Sequence, residues 1–404
     1  MKILLLKGRS QYNALRIWID EAKAAFEDLG HDVVLLDLNI PEIMAQLAER
    51  LATLGPFDFA FSYTICGEWR SPTGQNIGQI IGGPHLIQYV DHPLVQSERV
   101  IRAAPNSAIL TVDQSHADVL KSVFGNEHFA YVGFNPSPAI GKPVPLPDNA
   151  EAYAASRPTR LLFTGSYYRP EEPLWAGFPG NIREIFGEAA DYALSQDWIA
   201  PHSALMAALA ARGIGPDDEI ARTLLPHCFR IHEWVRATRR FQFLEVAAKV
   251  KLPITVYGSG YEKDLHRYEN MDYRGSADFH ETLALMAQSR VLLNVNVNFG
   301  EGSHDRPLCA MLAGAVCASE PSTFYDKAFE VADTTGDMTC FRWSSLEDDL
   351  ERIRQLSENP DALYAMAVRA QPKAIANHTW KSRAGQAIEI ARAARASRRW
   401  SATP

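Results

Sequence analysis

The chain of 404 residues is 47% hydrophobic and 22% charged, a balance typical of globular proteins at a length that suits two domains. Its 40 basic and 48 acidic residues leave a formal net charge of −8, which argues against a protein that binds nucleic acid through phosphate contacts. No stretch reaches the roughly 20 apolar residues needed to span a bilayer. The five cysteines form no Cys-x-x-Cys pair, so neither a disulfide framework nor a structural zinc site is expected, and a reducing cytoplasm is the predicted location.

The first 134 residues alternate predicted strands with predicted helices. Helical spacing is clearest after the first strand, where apolar residues recur at steps of three and four from Leu15 to Leu29. Strands are predicted over residues 2–6, 33–38, 57–63, 86–90, 108–112 and 129–133. This alternation predicts a parallel, Rossmann-like sheet, in which ligands bind beyond the carboxyl ends of the strands.

Proline then marks a boundary in the chain. Six prolines fall within residues 135–158, a density that neither a helix nor a central strand tolerates, so this segment is predicted to be a linker. A second alternating domain is predicted over residues 159–376. It contains a long helical stretch at about 181–250, which is more than one crossover needs and which we interpret as a helical insertion. Residues 377–404 predict a final Ala-rich helix with a basic end.

The most informative part of the second domain is Val291 to Gly314. Apolar residues there alternate with Asn294, Asn296 and Asn298, which predicts a strand with one apolar face and one carboxamide face. Buried carboxamides need hydrogen-bond partners, and two interpretations are open. The amides either bind a ligand or hold the backbone of the loop that follows.

That loop leads into a predicted helix. Asp305 suits the N-cap and Pro307 the first turn. N–H groups near Ser303, the helix dipole and the Arg306 guanidinium would converge on an anion such as phosphate. The alternative for Arg306 is a surface salt bridge. For His304, a contact with phosphate or a sugar hydroxyl stands beside a role in capping the loop.

Further glycine-containing turns follow predicted strands of the same sheet. Their candidate residues are Gly165, Ser166, Tyr257, Gly258, Gly260, Tyr273 and Gly275. Because the carboxyl ends of parallel strands meet at one edge, these turns should line the same ligand site as Arg306. Short glycine turns also occur without a ligand, so the joint placement, rather than any single turn, indicates function.

In the first half, polar residues near strand ends are candidates for acid–base chemistry. They are Glu68, Asp91 and His92, and Pro93 keeps His92 extended rather than helical. A general base at Asp91 or His92 would face the predicted cleft, although a turn-forming role is the alternative for Asp91. Asp113 or Ser115, after the next strand, is predicted to be a helix N-cap.

These motifs together resemble those of GT-B glycosyltransferases, and in particular the CgeB-like family, whose second domain is of the glycosyltransferase group 1 type. The resemblance covers most of the chain. It rests on Val256 to Gly260, Tyr273 to Gly275, Leu293 to Asn296, Arg306 to Gly314, Tyr89 to Pro93, Thr111 to Asp113, His378 to Trp380 and Arg383. It implies an α/β fold of two Rossmann-like parallel-sheet lobes facing across a cleft, with the helical insertion in the second lobe. It also implies that the final helix packs back across the domain junction.

One departure from the family pattern concerns the ribose. The family motif resembles Arg-x-Phe-Glu-Ala, and the Glu that in relatives holds the nucleotide ribose is Cys309 here. A thiol cannot accept two hydroxyl hydrogen bonds as a carboxylate does. The resemblance therefore leaves three possibilities: another group such as Glu320 reaches the ribose, the donor binds differently, or transfer activity has been lost.

The resemblance implies a metal-independent glycosyltransferase that moves a sugar from a nucleotide diphosphate donor, a UDP-sugar or dTDP-sugar, to a hydroxyl acceptor. Arg306, the N–H groups of residues 303–305 and the Gly165 turn would stabilise the leaving diphosphate. Tyr273 and Gly275 would lie near the nucleobase. The donor is the substrate, and no separate cofactor is expected.

The stereochemistry stays open at this point. If the reaction inverts the anomeric centre, the first lobe must supply a base, for which Asp91 and His92 are the candidates with Glu68 behind them. A retaining reaction needs no such base.

Two other functions are alternatives. One is a sugar-nucleotide epimerase or hydrolase of the same fold, and the other is a catalytically degenerate nucleotide-sugar-binding protein. No metal site is predicted, because His227, Cys228 and His232 fit no standard zinc spacing. The acceptor and the oligomeric state are not readable from the sequence.

Overall fold

The computed structural model of the chain describes residues 1–64, 68–103, 107–125, 128–168, 170–262, 265–296 and 299–397. The chain divides into two compact units, the first made of Met1–Pro138 with His378–Pro404 and the second of Ala139–Asn377. Cys66, Asn298 of the predicted strand and residues 398–404 of the final segment lie outside the described residues.

The first unit is built on a parallel sheet. Its strands are β1 Lys2–Lys7, β2 Asp32–Asp37, β3 Phe59–Tyr63, β4 His85–Tyr89, β5 Ser107–Thr111 and β6 Tyr131–Phe134. They lie in the order β2-β1-β3-β4-β5-β6, with Leu5 of β1 between Leu35 and Phe61. Residues 3–6 form a continuous apolar run because a central parallel strand is covered on both faces. The predicted parallel sheet is confirmed.

Helices connect these strands. They are α1 Ala14–Asp28, α2 Pro41–Ala45, α3 Leu47–Leu54, α4 Ile77–Ile81, α5 Ser97–Ala103 and α6 Gln114–Phe124. The apolar face of α1 is buried through Ile19, Ala22 and Phe26, as its spacing predicts. Asp113 caps α6 by accepting the Ser115 backbone N–H at 2.9 Å, which confirms the predicted N-cap.

The second unit also contains a parallel sheet. Its strands are β7 Thr159–Thr164, β8 Ile254–Tyr257, β9 Met271–Tyr273, β10 Ser289–Asn294, β11 Val316–Ser319 and β12 Thr339–Cys340, in the order β12-β11-β10-β7-β8-β9. The prediction that one face of β10 carries carboxamides is wrong. The strand ends at Asn294, and the apolar residues before it, Val291, Leu292 and Leu293, are all buried. A strand in the middle of a covered sheet buries both of its faces.

Ten helices of the described residues belong to this unit. They are α7 Ala150–Ala155, α8 Gly180–Ser195, α9 Pro201–Ala210, α10 Glu219–Leu224, α11 Phe229–Lys249, α12 Phe279–Ala287, α13 Asp305–Leu312, α14 Thr323–Ala328, α15 Leu346–Ser357 and α16 Pro360–Asn377. Helices α8 to α11 make up the helical insertion. Residues of the predicted linker from Ala139 onward lie in the second unit, where Tyr153 of α7 donates a hydrogen bond to the Gly314 carbonyl at 2.8 Å.

The last described helix, α17 Trp380–Ala396, is part of the first unit. The Trp380 ring lies 5.6 Å from that of Phe61 and 6.4 Å from that of Phe26. Arg383 Nε donates to the Pro136 carbonyl at 2.9 Å, so the end of the described chain is tied to residues before the boundary. Short 3-10 helices lie at Gln11–Asn13, Pro93–Gln96, Leu225–His227, Leu265–Arg267 and Trp343–Ser345. None of the described helices combines the length and apolar character needed to cross a bilayer.

Candidate functional site

The candidate site is the carboxyl edge of the second sheet, which we define as the loops that follow β7, β8, β9 and β10. Backbone hydrogen bonds connect the glycine turns of this edge. The Gly165 N–H donates to the Tyr257 carbonyl at 2.9 Å and the Gly258 N–H donates to the Gly275 carbonyl at 2.8 Å. The predicted turns are therefore brought together at one edge, as the parallel order of their strands requires.

Two of these glycines are required by close backbone packing. Gly258 has a φ of 151°, and a Cβ there would lie 2.1 Å from the Gly165 oxygen. Gly260 has a φ of 95°, and a Cβ there would lie 1.9 Å from the Tyr167 oxygen. No side chain fits at these distances, so contact between the loops is sufficient to explain both glycines.

Arg306 lies in the first turn of α13 and is only 9% exposed. Its guanidinium donates to the Thr164 carbonyl at the end of β7, and its Nε has no hydrogen-bond partner among the described residues. Burial lowers the pKa of Arg306, and the neighbouring Asp305 opposes that change. This burial contradicts the alternative of a surface salt bridge.

The prediction that Asp305 is the N-cap of α13 is wrong. His304 occupies the N-cap position, with φ −69° and ψ 160°, and Asp305 is the first helical residue. The Asp305 carboxylate instead contacts His304 Nδ1. Loss of water around the imidazole and the charge of Arg306 lower the pKa of His304. A third of the His304 side chain, 33%, is exposed, so the ring both meets Asp305 and reaches the surface.

Arg240 is a second buried cation that the sequence interpretation did not identify. It lies on α11 of the helical insertion, and its Nη1 donates to the Ser166 carbonyl at 2.6 Å. Burial, followed by the charge of Arg306, lowers the pKa of Arg240 to about 10. The available signal was the cluster of arginines in the middle of α11, which includes Arg236 and Arg239.

The asparagines and Ser303 hold the loop after β10. Asn296 Nδ2 donates to the Phe299 carbonyl at 2.9 Å, and its Oδ1 accepts the His304 N–H at 3.3 Å. Asn294 Nδ2 donates to Ser319 Oγ at 2.9 Å. Ser303 is buried, with its Oγ donating to the His304 carbonyl at 2.6 Å. These bonds favour the second interpretation of the carboxamides, in which they support the backbone of the loop.

The two residues considered for the ribose are both engaged by the chain itself. Glu320 is buried, accepts the Trp343 indole N–H at 2.5 Å and lies 3.6 Å from Arg239. The Cys309 thiol is buried and accepts the Ile140 N–H at 3.3 Å. Each side chain therefore contributes to the packing of the second unit.

The remaining predicted residues of this edge are partly open. Ser166, Tyr257, Tyr273 and Gly275 are half-buried. The Tyr273 hydroxyl lies 3.0 Å from the Gly258 carbonyl and 2.9 Å from Glu262 Oε1. Aromatic and hydroxyl groups that are partly accessible therefore lie beside the glycine turns.

The predicted residues of the first unit follow or flank strands of its own sheet. Asp91 is exposed just after β4, whereas His92 is buried, with its Nδ1 accepting the Leu94 N–H at 3.3 Å. Glu68 lies 3.4 Å from Arg99, and both side chains are about one-third exposed. His92 thus caps a short 3-10 helix, and Asp91 is the more open of the two candidates.

Residues 238–389 match the model of the glycosyl transferase-like family, and no curated protein matches the chain. An α-glucosyltransferase solved in complex with UDP and a 13-mer DNA is 10% identical over 97% of this chain and 99% of its own, with a TM-score of 0.52.

Two further solved structures are similar over most of their length. Anabaena HepE in complex with UDP-glucose is 13% identical over 96% of this chain and 98% of its own, with a TM-score of 0.48. T4 phage BGT in complex with UDP-glucose is 10% identical over 97% and 99%, with a TM-score of 0.49. Residues 238–389 therefore carry a glycosyl transferase-like domain, as expected from the sequence, and the two parallel sheets match the predicted GT-B fold.

Proposed function

We propose that this glycosyltransferase uses a nucleoside diphosphate sugar, a UDP-sugar or dTDP-sugar, as its donor and binds it at the carboxyl edge of the second sheet. The observation that carries the proposal is Arg306, a buried cation at the start of a helix and beside a glycine turn. A buried cation favours an anionic partner, and the N-terminus of a helix also favours negative charge. A diphosphate meets both preferences.

The same groups would stabilise the charge that develops during transfer. When the bond between the sugar and the diphosphate breaks, the electron pair stays on the diphosphate oxygen. The Arg306 guanidinium and the first turn of α13 are already positioned to interact with that charge, so little reorganisation is needed. Because guanidinium groups supply the positive charge, we propose that the transfer is metal-independent.

The other predicted donor residues divide into two roles in this proposal. Tyr257, Tyr273, Gly275 and His304, which are partly open, would contact the nucleoside or the sugar. Asn294, Asn296, Ser303, Asp305 and Glu320 would position the loops rather than touch the donor, because their side chains bond to the chain itself.

On the acceptor side, we propose Asp91 as the base of an inverting reaction. The acceptor is a hydroxyl group, which becomes a better nucleophile as its proton is removed. Asp91 is exposed, whereas His92 Nδ1 is occupied by the Leu94 amide. Glu68 is paired with Arg99 and is the weaker candidate.

We also propose membership of the CgeB-like family and a cytoplasmic location, which rest on the sequence motifs and on the scattered cysteines. Cys309 supports a second candidate function, a nucleotide-sugar-binding protein without transfer activity. Its buried thiol accepts a backbone N–H and leaves the family's ribose contact without its carboxylate.

A thermal-shift series tests the donor site. The change in melting temperature is measured with UDP, dTDP, GDP and ADP and with the corresponding nucleoside diphosphate sugars. The proteins are the wild type, Arg306→Met and Arg222→Met, the last of which removes an exposed arginine of the insertion. At a free ligand concentration of 100 times Kd, stabilisation of about 2.7 kcal/mol is expected in the wild type and in Arg222→Met but not in Arg306→Met. If no nucleotide stabilises the wild type, the donor-site proposal is wrong.

Turnover then separates the candidate functions. Release of UDP that requires an added hydroxyl acceptor supports transfer. Turnover of a UDP-sugar alone supports a hydrolase or epimerase, and tight binding without turnover across acceptors supports the binding protein.

A further inference from the structure

The helical insertion contributes a cation to the carboxyl edge of the second sheet. Arg240 of α11 donates to the Ser166 carbonyl at 2.6 Å, and Arg306 of α13 donates to the Thr164 carbonyl. These carbonyls flank Gly165. A Cβ at Gly165 would lie 2.7 Å from Arg306 Nη1 and 4.0 Å from Arg240 Nη2. Two guanidinium groups therefore converge on one glycine turn.

Among the residues that the structure describes, no carboxylate lies within ion-pair distance of Arg306 or Arg240. Asp305 and Glu233 are the carboxylates whose charges act on the two arginines. Asp305 contacts His304, and Glu233 lies 2.5 Å from Arg236. The Nε atoms of Arg240 and Arg306 are buried and have no hydrogen-bond partner within the described part of the chain. Two like charges in a buried setting repel each other strongly unless an anion lies between them.

We infer that Arg240 is a second diphosphate-binding residue and that the helical insertion is thereby part of the donor site. The inference rests on the proposed function and names the chemical class that the pair selects. A diphosphate offers one phosphate group to each of the two converging guanidiniums, whereas a monophosphate offers a single group to both. The site is expected to prefer nucleoside diphosphates to monophosphates because of Arg240.

Other contacts of the insertion support this assignment. Trp198 packs so closely on the loop after β10 that a Cβ at Gly300 would lie 2.0 Å from its ring. Arg239, beside Arg240 on α11, lies 3.6 Å from Glu320, the residue after β11. The insertion therefore meets three loops of the same sheet, which holds α11 in place and aims Arg240 at the Gly165 turn.

The test compares affinities for UDP, UMP and pyrophosphate by calorimetry, using the full chain. In Arg240→Met, the Kd for UDP should rise about 10- to 100-fold, as expected for the loss of charge-assisted hydrogen bonds, and the Kd for pyrophosphate should rise with it. The Kd for UMP should change much less, so the preference for UDP falls. Arg222→Met makes the same substitution at an exposed site of the insertion and should leave all three affinities unchanged.

Several results would overturn the inference. Equal losses for UDP and UMP in Arg240→Met would indicate a structural role, and no loss would show that Arg240 does not bind phosphate. If Arg240→Met does not fold, Arg240→Lys serves instead, and unchanged discrimination in that variant would overturn the inference, as would a wild type that binds UDP no more tightly than UMP. UDP binding that depends on Arg306 but not on Arg240 would overturn this inference and leave the proposed function standing. A wild type that binds no nucleotide removes the proposed function as well.

Discussion

The two units share a parallel sheet but differ in how the polar groups near their strand ends are satisfied. In the first unit, Glu68 pairs with Arg99, His92 accepts the Leu94 amide and Asp91 is exposed. In the second, Arg306 and Arg240 donate hydrogen bonds to backbone carbonyls around one glycine turn. Charges that are paired or hydrated suit an uncharged hydroxyl acceptor, whereas converging buried cations suit an anion. The same architecture therefore presents two different chemistries.

Removal of Arg306 should have the largest effect. Arg306→Met is expected to lower kcat/KM about 100- to 1,000-fold, the range typical for loss of one group that stabilises developing negative charge. The first-unit counterpart, Arg99→Met, breaks an ion pair whose side chains are about one-third exposed and should change kcat/KM less than about fivefold. Steady-state kinetics of sugar transfer with both variants measures the contrast. Comparable losses of kcat/KM would show that the cations of the second unit contribute no more to catalysis than the ion pair of the first.

Asp91→Asn should have the next largest effect. Loss of a general base is expected to lower kcat about 100-fold or more, with little change in the Kd for UDP, because Asp91 would act on the acceptor. Glu98→Gln is the matched control, since that carboxylate is 87% exposed on α5 of the same unit. An unchanged kcat in Asp91→Asn would show that Asp91 is not the general base and would favour a retaining reaction.

Gly258→Ala should destabilise the second unit by about 3 kcal/mol or more, because the added Cβ meets the Gly165 oxygen at 2.1 Å. In the first unit Gly82 also has a positive φ, 64°, but a Cβ there meets nothing within 4 Å. Gly82→Ala should therefore cost only about 1–2 kcal/mol. Urea denaturation of both variants provides the measurement, and equal losses would contradict the close packing of the glycine turns.

The effect that is smallest near neutral pH concerns a buried histidine. Burial lowers the pKa of His85 in the first unit to about 3 from the ordinary value of 6.5. Between pH 6.5 and about 3 the unfolded chain binds the proton and the folded chain does not, so stability falls as the pH is lowered, by up to about 1.4 kcal/mol per pH unit. Above pH 6.5 this contribution is fully present.

Denaturation of His85→Gln across this range checks the assignment, because its stability should depend less on pH than that of the wild type. His280→Gln, at an exposed position of α12, should retain the wild-type dependence. A wild-type slope in His85→Gln would contradict the role of this buried imidazole.

The sequence was sufficient to predict the alternation of strands and helices and the glycine turns of the second sheet. A capping box opens α12, in which Asp278 and Glu281 accept each other's backbone N–H, and their spacing of three residues is typical of that motif. These features depend on the spacing of side chains along one segment and on the conformations that glycine allows, so they are readable from neighbouring residues.

Local patterns failed where packing from distant segments decides the outcome. The alternation after Val291 predicted a strand with two different faces, yet β10 ends at Asn294 and is buried on both sides. Asp305 was placed one residue too early in the helix, because the pattern alone does not distinguish it from His304 as the N-cap. The partners of Glu320 likewise come from Trp343 and Arg239, which lie on other elements.

The sequence by itself determined that parallel sheets form and that Arg306 follows a glycine loop at the start of a helix. The tertiary structure alone decided that Arg306 is buried against β7 and that Arg240, from a helix far away in the chain, reaches the same turn. Hydrophobic periodicity and backbone sterics act over a few residues, and so a sequence displays them directly. The convergence of charges depends on which distant elements pack together, and only the folded chain establishes that.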